Sequence, residues 1–566
     1  MKRSRLMVLV LSLILIVSLL FVSACANGTN TVSDSTPTPA PVKDTDKEPG
    51  DVNDNEDTVV PDPFGKYDEP IKQSTIRILT SWMALDDGDD ENNNIWTREI
   101  KDKLGVELSQ LWTAPDWGPP FDEKVNLAIA SDQLPDIIPV YTTLFYRMVD
   151  GGKLTDLSQV YEEYASPRLR EMMALGDGVG LKSATFDGKL YGLGGANDYS
   201  DRTLLWLRKD WMDKLDLQPP KTLDDLYDIA RAFVGGDPNG NDRNDEIGFL
   251  FSKNFFGGAG DPAKLFNAYG LYPRTWIEKD GKLVRGETMP EFKDVLNIMA
   301  DLYKEGLIPK DFTIKDINKE GIEDVVSGKV GIYFGTAGSP ATPELKGSND
   351  SDGAQWEAYD MPTSTGEIIK AQYDSRVGNF YAVSAKNQHP EAAIKLLNLQ
   401  LEIDAFNPDY ATDNTFNISP NENMNFWCKP ANINDPRNSV IKINAVLEAM
   451  NTGDVSKLNI EQKEEYGKAT SDQWDFATMF KKGGSQEMRI SDKYKDALWV
   501  SPAWGPETPT WVESGQDLHV KVQEYFIRAV TTGEVDKYFE EWLNYWETQG
   551  GGQVTVEINE WYSQNK

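Results

Sequence analysis

Residues 74–108 read STIRILTSWMALDDGDDENNNIWTREIKDKLGVEL, and the hydrophobic period changes twice along them. Ser74 to Leu79 alternates polar and apolar residues like a strand. A polar loop, DDGDDENNN at 86–94, follows it. Trp96, Ile100 and Leu104 then recur four apart on one helical face, and Gly105 stands where a C-terminal cap belongs. Val106-Glu107-Leu108 resumes a strand. Downstream, Phe121, Val125 and Ile129 mark another helix face, and Asp136-Ile137-Ile138-Pro139-Val140 reads as a buried strand. Strands alternating with helices of this length predict an α/β chain of βαβ units around a mainly parallel sheet. Thr222-Leu-Asp-Asp225, after Pro219-Pro220, has capping-box spacing, and its helix face continues through Leu226, Ile229, Ala230 and Phe233. Near the end, Val522, Phe526, Ala529 and Val530 form one helix face, and Val535, Phe539, Trp542 and Trp546 form another. No repeat with a period of about 20–50 residues is present, which sets solenoids and propellers aside.

Upstream of this body, residues 1–24 read MKRSRLMVLVLSLILIVSLLFVSA. Lys2, Arg3 and Arg5 precede an almost unbroken apolar run from Leu6 to Val22, the pattern of a secretory signal. The run ends in Val22-Ser23-Ala24-Cys25, small residues leading into a cysteine. This resembles the bacterial lipobox, which implies cleavage before Cys25 and lipidation of that residue. An uncleaved membrane anchor with an incidental cysteine is the alternative. Either way the rest of the chain is expected outside the cytoplasm. Residues 25–68 hold Pro, Thr, Asp and Asn but few large apolar side chains, and read as a disordered tether. Fully stretched at roughly 3.3 Å per residue, a segment of this length spans on the order of 100 Å. Residues 69–566 are then the folded module.

Composition narrows the chemistry. The chain has 566 residues, 57 Lys+Arg against 91 Asp+Glu, and a net charge of −34. Without Lys2, Arg3 and Arg5, 54 basic residues face 91 acidic ones, and the processed chain carries −37. Nucleic acid is bound by clustered Lys and Arg that release phosphate counterions, so this balance argues against it. Two Cys and two His leave no room for a Cys/His zinc site or a CxxC redox pair. With Cys25 lipidated, Cys428 has no partner for a disulfide. His389, before Pro390 at a helix start, and His519, leading into an apolar helix, both read as structural.

One motif has a metal mechanism. Residues 237–248 read DPNGNDRNDEIG. Asp237, Asn239 and Asn241 occupy positions 1, 3 and 5 of a calcium loop, and Arg243 at position 7 would offer its backbone carbonyl. Asp245 and Glu246 follow. An EF-hand has a bidentate Glu at position 12, where this chain has Gly248, so Glu246 would have to replace it. A solvated Asp/Asn/Gly turn is the alternative reading of the same residues.

Signal, tether and α/β body together resemble a lipoprotein that binds solutes for a bacterial ABC importer. Leu134-Pro-Asp-Ile-Ile138, Gly152-Lys-Leu-Thr-Asp-Leu157 and Asp187-Gly-Lys-Leu-Tyr-Gly192 narrow this to extracellular solute-binding family 1. Leu205-Trp-Leu-Arg-Lys-Asp-Trp211, Pro220-Lys-Thr-Leu-Asp224, Gly328-Lys-Val-Gly-Ile-Tyr-Phe334, His389-Pro-Glu-Ala-Ala-Ile394 and Thr531-Thr-Gly-Glu534 continue the match. The similarity is greatest to the LplA-like and alginate-binding-like members and spans roughly residues 70–566. The order and spacing of these motifs carry it, since each alone is weak. The resemblance implies an α/β, periplasmic-binding-protein-like fold (type II-like) with two lobes joined by chain crossovers and a ligand cleft between them. It implies a structural calcium at 237–246, a carbohydrate ligand, ABC permease subunits as partners, and a monomer held by lipid at the extracytoplasmic face of the membrane. It implies no enzymatic activity.

In such a cleft, carboxylates, amides and Arg meet sugar hydroxyls, while flat aromatic faces meet the C–H surface. Trp82, Trp117, Tyr191, Trp499 and Trp504, in or beside loops rich in Pro and Gly or at strand ends, are the candidate platforms, although core packing is the competing use of each. Asp86 and Asp89 are possible hydroxyl acceptors within an acidic loop that reads better as solvated. Trp206, Trp542 and Trp546 read as core. A polysaccharide hydrolase or lyase would need two carboxylates across the scissile bond, and among 91 acidic residues such a pair can always be proposed. No nucleophile elbow, HExxH or P-loop occurs. A surface adhesin remains a third class, and the fold alone would not exclude a peptide or another polar solute as ligand.

Overall fold

The computed structural model describes residues 61–566 apart from 79–84, 115–118, 196–201, 254, 258–260, 374–376, 405–427, 432, 434 and 495–496. Segment 1–24, Cys25 and most of the expected tether lie outside the described residues. Among the described residues no helix is long and apolar enough to cross a membrane.

Two large hydrophobic cores share no residue. The first draws on positions 76–193 and 377–433. The second draws on 205–369 and 503–562, with two smaller clusters beside it. Each lobe is thus assembled from segments distant in sequence. In chain order the core residues change from the first lobe to the second after Leu193, back after Ile369 and out again after Ile433.

In the first lobe the strand Ile71–Ile78 pairs in parallel with Val106–Ala114. Between them in sequence runs the helix Ile95–Leu104, capped by Asn94 and closed by Gly105 at φ 69°. Trp96, Ile100 and Leu104 are fully buried, as their spacing predicted. The expected mainly parallel sheet is not what forms. The strand Asn379–Val383 lies antiparallel between Ile137–Tyr141 and Gly192–Gly194, because it enters the lobe on the return from the second and runs the opposite way. The same happens in the second lobe, where Leu204–Arg208 is antiparallel to both Ile332–Gly335 and Trp356–Tyr359. That central strand is buried on both faces: Leu205 and Leu207 enter the main core, and Leu204 and Trp206 enter the smaller one.

The long helix Pro509–Thr532 organises the second lobe. Thr508 caps it, Pro509 fixes its first turn, and Gly533 ends it in the left-handed region at φ 73°. Its buried stripe is Leu518, Val522, Phe526, Ala529 and Val530. It packs against Phe292–Glu305, Val535–Thr548 and Gly551–Asn565. Trp542 is fully buried, and its indole N–H donates to Glu287 O at 2.9 Å. Truncating such a ring costs about 3–5 kcal/mol.

Residues 63–67, assigned to the tether by composition, pack on the first lobe. Asn398 donates to Pro63 O at 3.0 Å, Lys395 to Gly65 O at 2.8 Å, and the Tyr67 hydroxyl to Glu391 at 2.7 Å. The partners lie on Glu391–Asp404, an enclosed helix whose Lys395, Asn398 and Gln400 side chains donate to backbone carbonyls of neighbouring segments.

Candidate functional site

Where the lobes meet, the strand Ala371–Tyr373 carries the chain back to the first lobe and pairs in parallel with Leu498–Val500. Trp499, in that pair, stacks face to face on Tyr272, with centroids 4.3 Å apart and planes 13° from parallel. Gln372, opposite Trp499 in register, donates to Pro273 O at 2.8 Å. Burial pushes the Tyr272 phenol up to about 12, so it stays a neutral donor. The result is a flat aromatic pair and an amide beside the crossover strand. Tyr272 escaped sequence reasoning, although GLYPR at 270–274 carries the same signal, an aromatic among Gly and Pro, that singled out Trp499.

The other candidates separate. Trp504 sets its edge on Trp561 at 5.0 Å and 77° and also packs against the first core, so it bridges the lobes. Tyr191 is half-buried against the first core, 6.5 Å from Phe186. Trp82 and Trp117 lie outside the described residues. Asp89 pairs with Arg98 at 2.7 Å, which fixes it to its own lobe. Trp206 and Trp542 are fully buried, and Trp546 nearly so.

Loop 237–246 follows the helix Leu223–Gly236, whose capping box on Thr222 and Asp225 forms as its spacing predicted. Asp237 turns the chain at φ 44°. One oxygen of Asp237 accepts from the Gly240 and Asn241 N–H groups at 3.1 Å each. Asn239 Oδ1 accepts from Asn241 N–H at 3.1 Å, and Asn241 Oδ1 from Arg243 N–H at 2.8 Å. The Asn241 amide donates to Asp245 at 3.0 Å. These bonds set the oxygens of positions 1, 3 and 5 around one turn while leaving acceptor capacity on each amide oxygen. Both carboxylate oxygens of Glu246 are buried without a well-aligned donor. Burial, together with the Asp237 and Asp245 charges, raises its carboxyl above the ordinary range. Orphaned carboxylate oxygens beside two further carboxylates are the donor set a hard cation takes. Among the described residues, however, no group of three or more His, Cys, Asp or Glu side chains is gathered as a metal cluster. The loop joins the sheet at Ile247 and Val330, at the amino end of Ile332–Gly335.

The two histidines touch no such site. His389 lies 3.3 Å from Glu391 and edge-on to Tyr67. His519 is pushed down to about 4 by burial and by the positive charge of Arg274.

Two discontinuous α/β lobes with aromatic surface at their junction define a solute-binding architecture. The bacterial extracellular solute-binding protein family matches residues 121–428, more than half of the chain, and the chain belongs to that family. Lipoprotein LipO of Bacillus subtilis (strain 168) is 28% identical over 291 residues, 51% of this chain and 55% of LipO. The chain therefore spans about half the length of that relative. The polygalacturonan/rhamnogalacturonan-binding protein YtcQ of the same organism is 24% identical over 519 residues, 87% of this chain and 92% of YtcQ. Among solved structures, alginate-binding protein AlgQ2 without calcium ion has a TM-score of 0.56 at 19% identity, covering 88% of this chain and 99% of AlgQ2. That likeness establishes the two-lobed fold. YtcQ and AlgQ2 are both named as binding proteins.

Proposed function

We propose that this chain captures a carbohydrate, of oligosaccharide size, in the cleft between its lobes and delivers it to an ABC importer permease, without catalysing a reaction on it. The observation that carries this is the stacked Tyr272–Trp499 pair beside the crossover strand. It offers an apolar face at the junction where two separately cored lobes can close on a ligand. Closure would be a population shift: the sugar binds the closed form better and so enriches it, and the permease reads that form. YtcQ and AlgQ2, named for binding polygalacturonan/rhamnogalacturonan and alginate, support the ligand class. Trp499 is the leading stacking platform, and Trp82, Trp117, Tyr191 and Trp504 remain candidates.

Two further assignments belong to this reading. Asp237, Asn239, Asn241, the Arg243 carbonyl, Asp245 and Glu246 would hold a structural calcium, which supplies the positive charge that the Glu246 carboxylate lacks. Cys25 would be lipidated after loss of residues 1–24, placing the protein at the outer face of the cell membrane on its tether. A thermal-shift screen of the chain from residue 26 against mono- and oligosaccharides, with products analysed in parallel, tests the function. A sugar at 100 times its dissociation constant should add about 2.7 kcal/mol of stability. New reducing ends or unsaturated products would replace this reading with an enzymatic one.

A further inference from the structure

The segment between Leu498–Val500 and Pro509–Thr532 belongs to the second lobe at both ends yet touches the first. At its start, the Ser501 N–H donates to Tyr373 O at 3.2 Å, tying it to the crossover strand. At its end, the Thr508 hydroxyl caps the long helix by accepting from Trp511 N–H at 3.3 Å. Between these points Gly505 lies so close to Trp561 that a Cβ would sit 2.3 Å from the indole. The segment is therefore seated firmly on the helix Gly551–Asn565. From that seat it reaches across the junction, where Trp504 packs on the first core and Glu507 accepts from the Thr143 hydroxyl at 3.4 Å.

Thr143 lies in the first turn of the helix Thr142–Asp150, which leaves the carboxyl end of the strand Ile137–Tyr141. That helix has no side-chain cap at Tyr141 and no acidic residue in its first turn. The Thr142 hydroxyl is committed to Val377 O at 2.5 Å and Gly378 O at 3.2 Å, just past the crossover. The helix end carries partial positive charge, and its own lobe supplies no acidic residue in the first turn to match it.

We infer that Glu507 is an interlobe latch: a carboxylate of the second lobe that completes the amino end of a first-lobe helix and holds the lobes together. The 3.4 Å separation is long for a hydroxyl–carboxylate bond, so the latch acts chiefly through its charge at the helix end. Apparent affinity scales with the population of the competent form, so the latch raises affinity without touching the ligand. Only that last consequence rests on the solute-binding reading; the latch itself is a property of the ligand-free chain.

The test measures the interlobe distance in the absence of ligand. Asp102→Cys on Ile95–Leu104 and Asp301→Cys on Phe292–Glu305, both exposed, are spin-labelled in the chain from residue 26. Cys428, 3% exposed, is shielded from the label. Glu507→Ala should move the distance distribution to longer values, and Glu507→Gln should move it less. Thr143→Val should add less to Glu507→Ala than it does to the parent, since the two residues share a contact. Melting curves of all variants verify that they fold. A distribution for Glu507→Ala that superimposes on the parent would overturn the latch, whatever the ligand is. For any sugar found to bind, Glu507→Ala should weaken affinity by about two- to fivefold, the ordinary size of a charge at a helix end.

Discussion

The guanidinium of Arg437 closes on the carboxylate of Asp435 in a two-pronged contact, Nε to Oδ1 at 2.9 Å and Nη2 to Oδ2 at 2.7 Å. The same guanidinium reaches Glu171 of the first lobe at 2.5 Å, and Arg168 stands 3.7 Å from Asp435. Four charges thus clasp the point where the chain leaves the first lobe for the helix Asn438–Thr452. Asp435 is almost fully enclosed, its side chain 1% exposed. Burial disfavours its charge, but the bonds from Arg437 outweigh burial and hold the carboxyl below the usual range.

Asp435→Asn should therefore cost about 1.5–3 kcal/mol in urea unfolding at neutral pH, the range for hydrogen bonds to charged groups. A carboxyl with a depressed folded pKa contributes stability above its unfolded value and loses it as pH falls through the folded one. The gap between wild type and variant should hold above about pH 4, the ordinary Asp value, and close in stronger acid. A gap that does not change with pH would contradict the account.

His519 also costs stability as pH falls, but in a higher window and because burial disfavours its charged form. Its depressed value of about 4 means that the folded chain resists protonation. Stability should fall as pH drops from about 6.5, the free histidine value, towards 4, and His519→Gln should flatten that decline. Ring-proton chemical shifts give the midpoint directly, and a midpoint near 6.5 would refute the burial argument.

Chelation probes loop 237–246. Adding a calcium chelator should lower the melting temperature, and restoring calcium should recover it. Glu246→Gln should abolish the response, because it removes the charge that the cation balances. An unchanged midpoint, with no calcium found by elemental analysis, would leave the loop as a hydrogen-bonded turn.

The amino-terminal docking segment gives a proteolytic prediction. Asn398 donates to Pro63 O and Tyr164 O and accepts from Ser166 N–H. Asn398→Ala should release the segment and cost about 1–3 kcal/mol in unsatisfied groups. In the wild type, limited trypsin should spare Lys66; in the variant, Lys66 should become a site.

Much of this molecule was legible locally. Trp96, Ile100 and Leu104, Thr222 with Asp225, and the stripe Val522–Phe526–Ala529–Val530 read correctly because helix periodicity and capping are set by neighbours in sequence. Strand direction was not legible. Asn379–Val383 inserts antiparallel after an excursion through the other lobe, and no local pattern encodes which way a returning strand runs. The docking of residues 63–67 was hidden for a related reason: Asn398 and Lys395, which hold them, lie more than 300 residues away. At the junction, Trp499 stood out as an aromatic in a Pro-flanked segment and Tyr272 carries the same signal, whereas their pairing and the reach of Glu507 to Thr143 depend on tertiary proximity alone.

The central claim is that the two lobes close on a carbohydrate. Small-angle scattering of the chain from residue 26, with and without saturating oligosaccharide, tests it most directly. The account predicts a smaller radius of gyration with the bound sugar, and loss of that change in Trp499→Ala at the same sugar concentration. Scattering curves that superimpose across a library of glycans would contradict it.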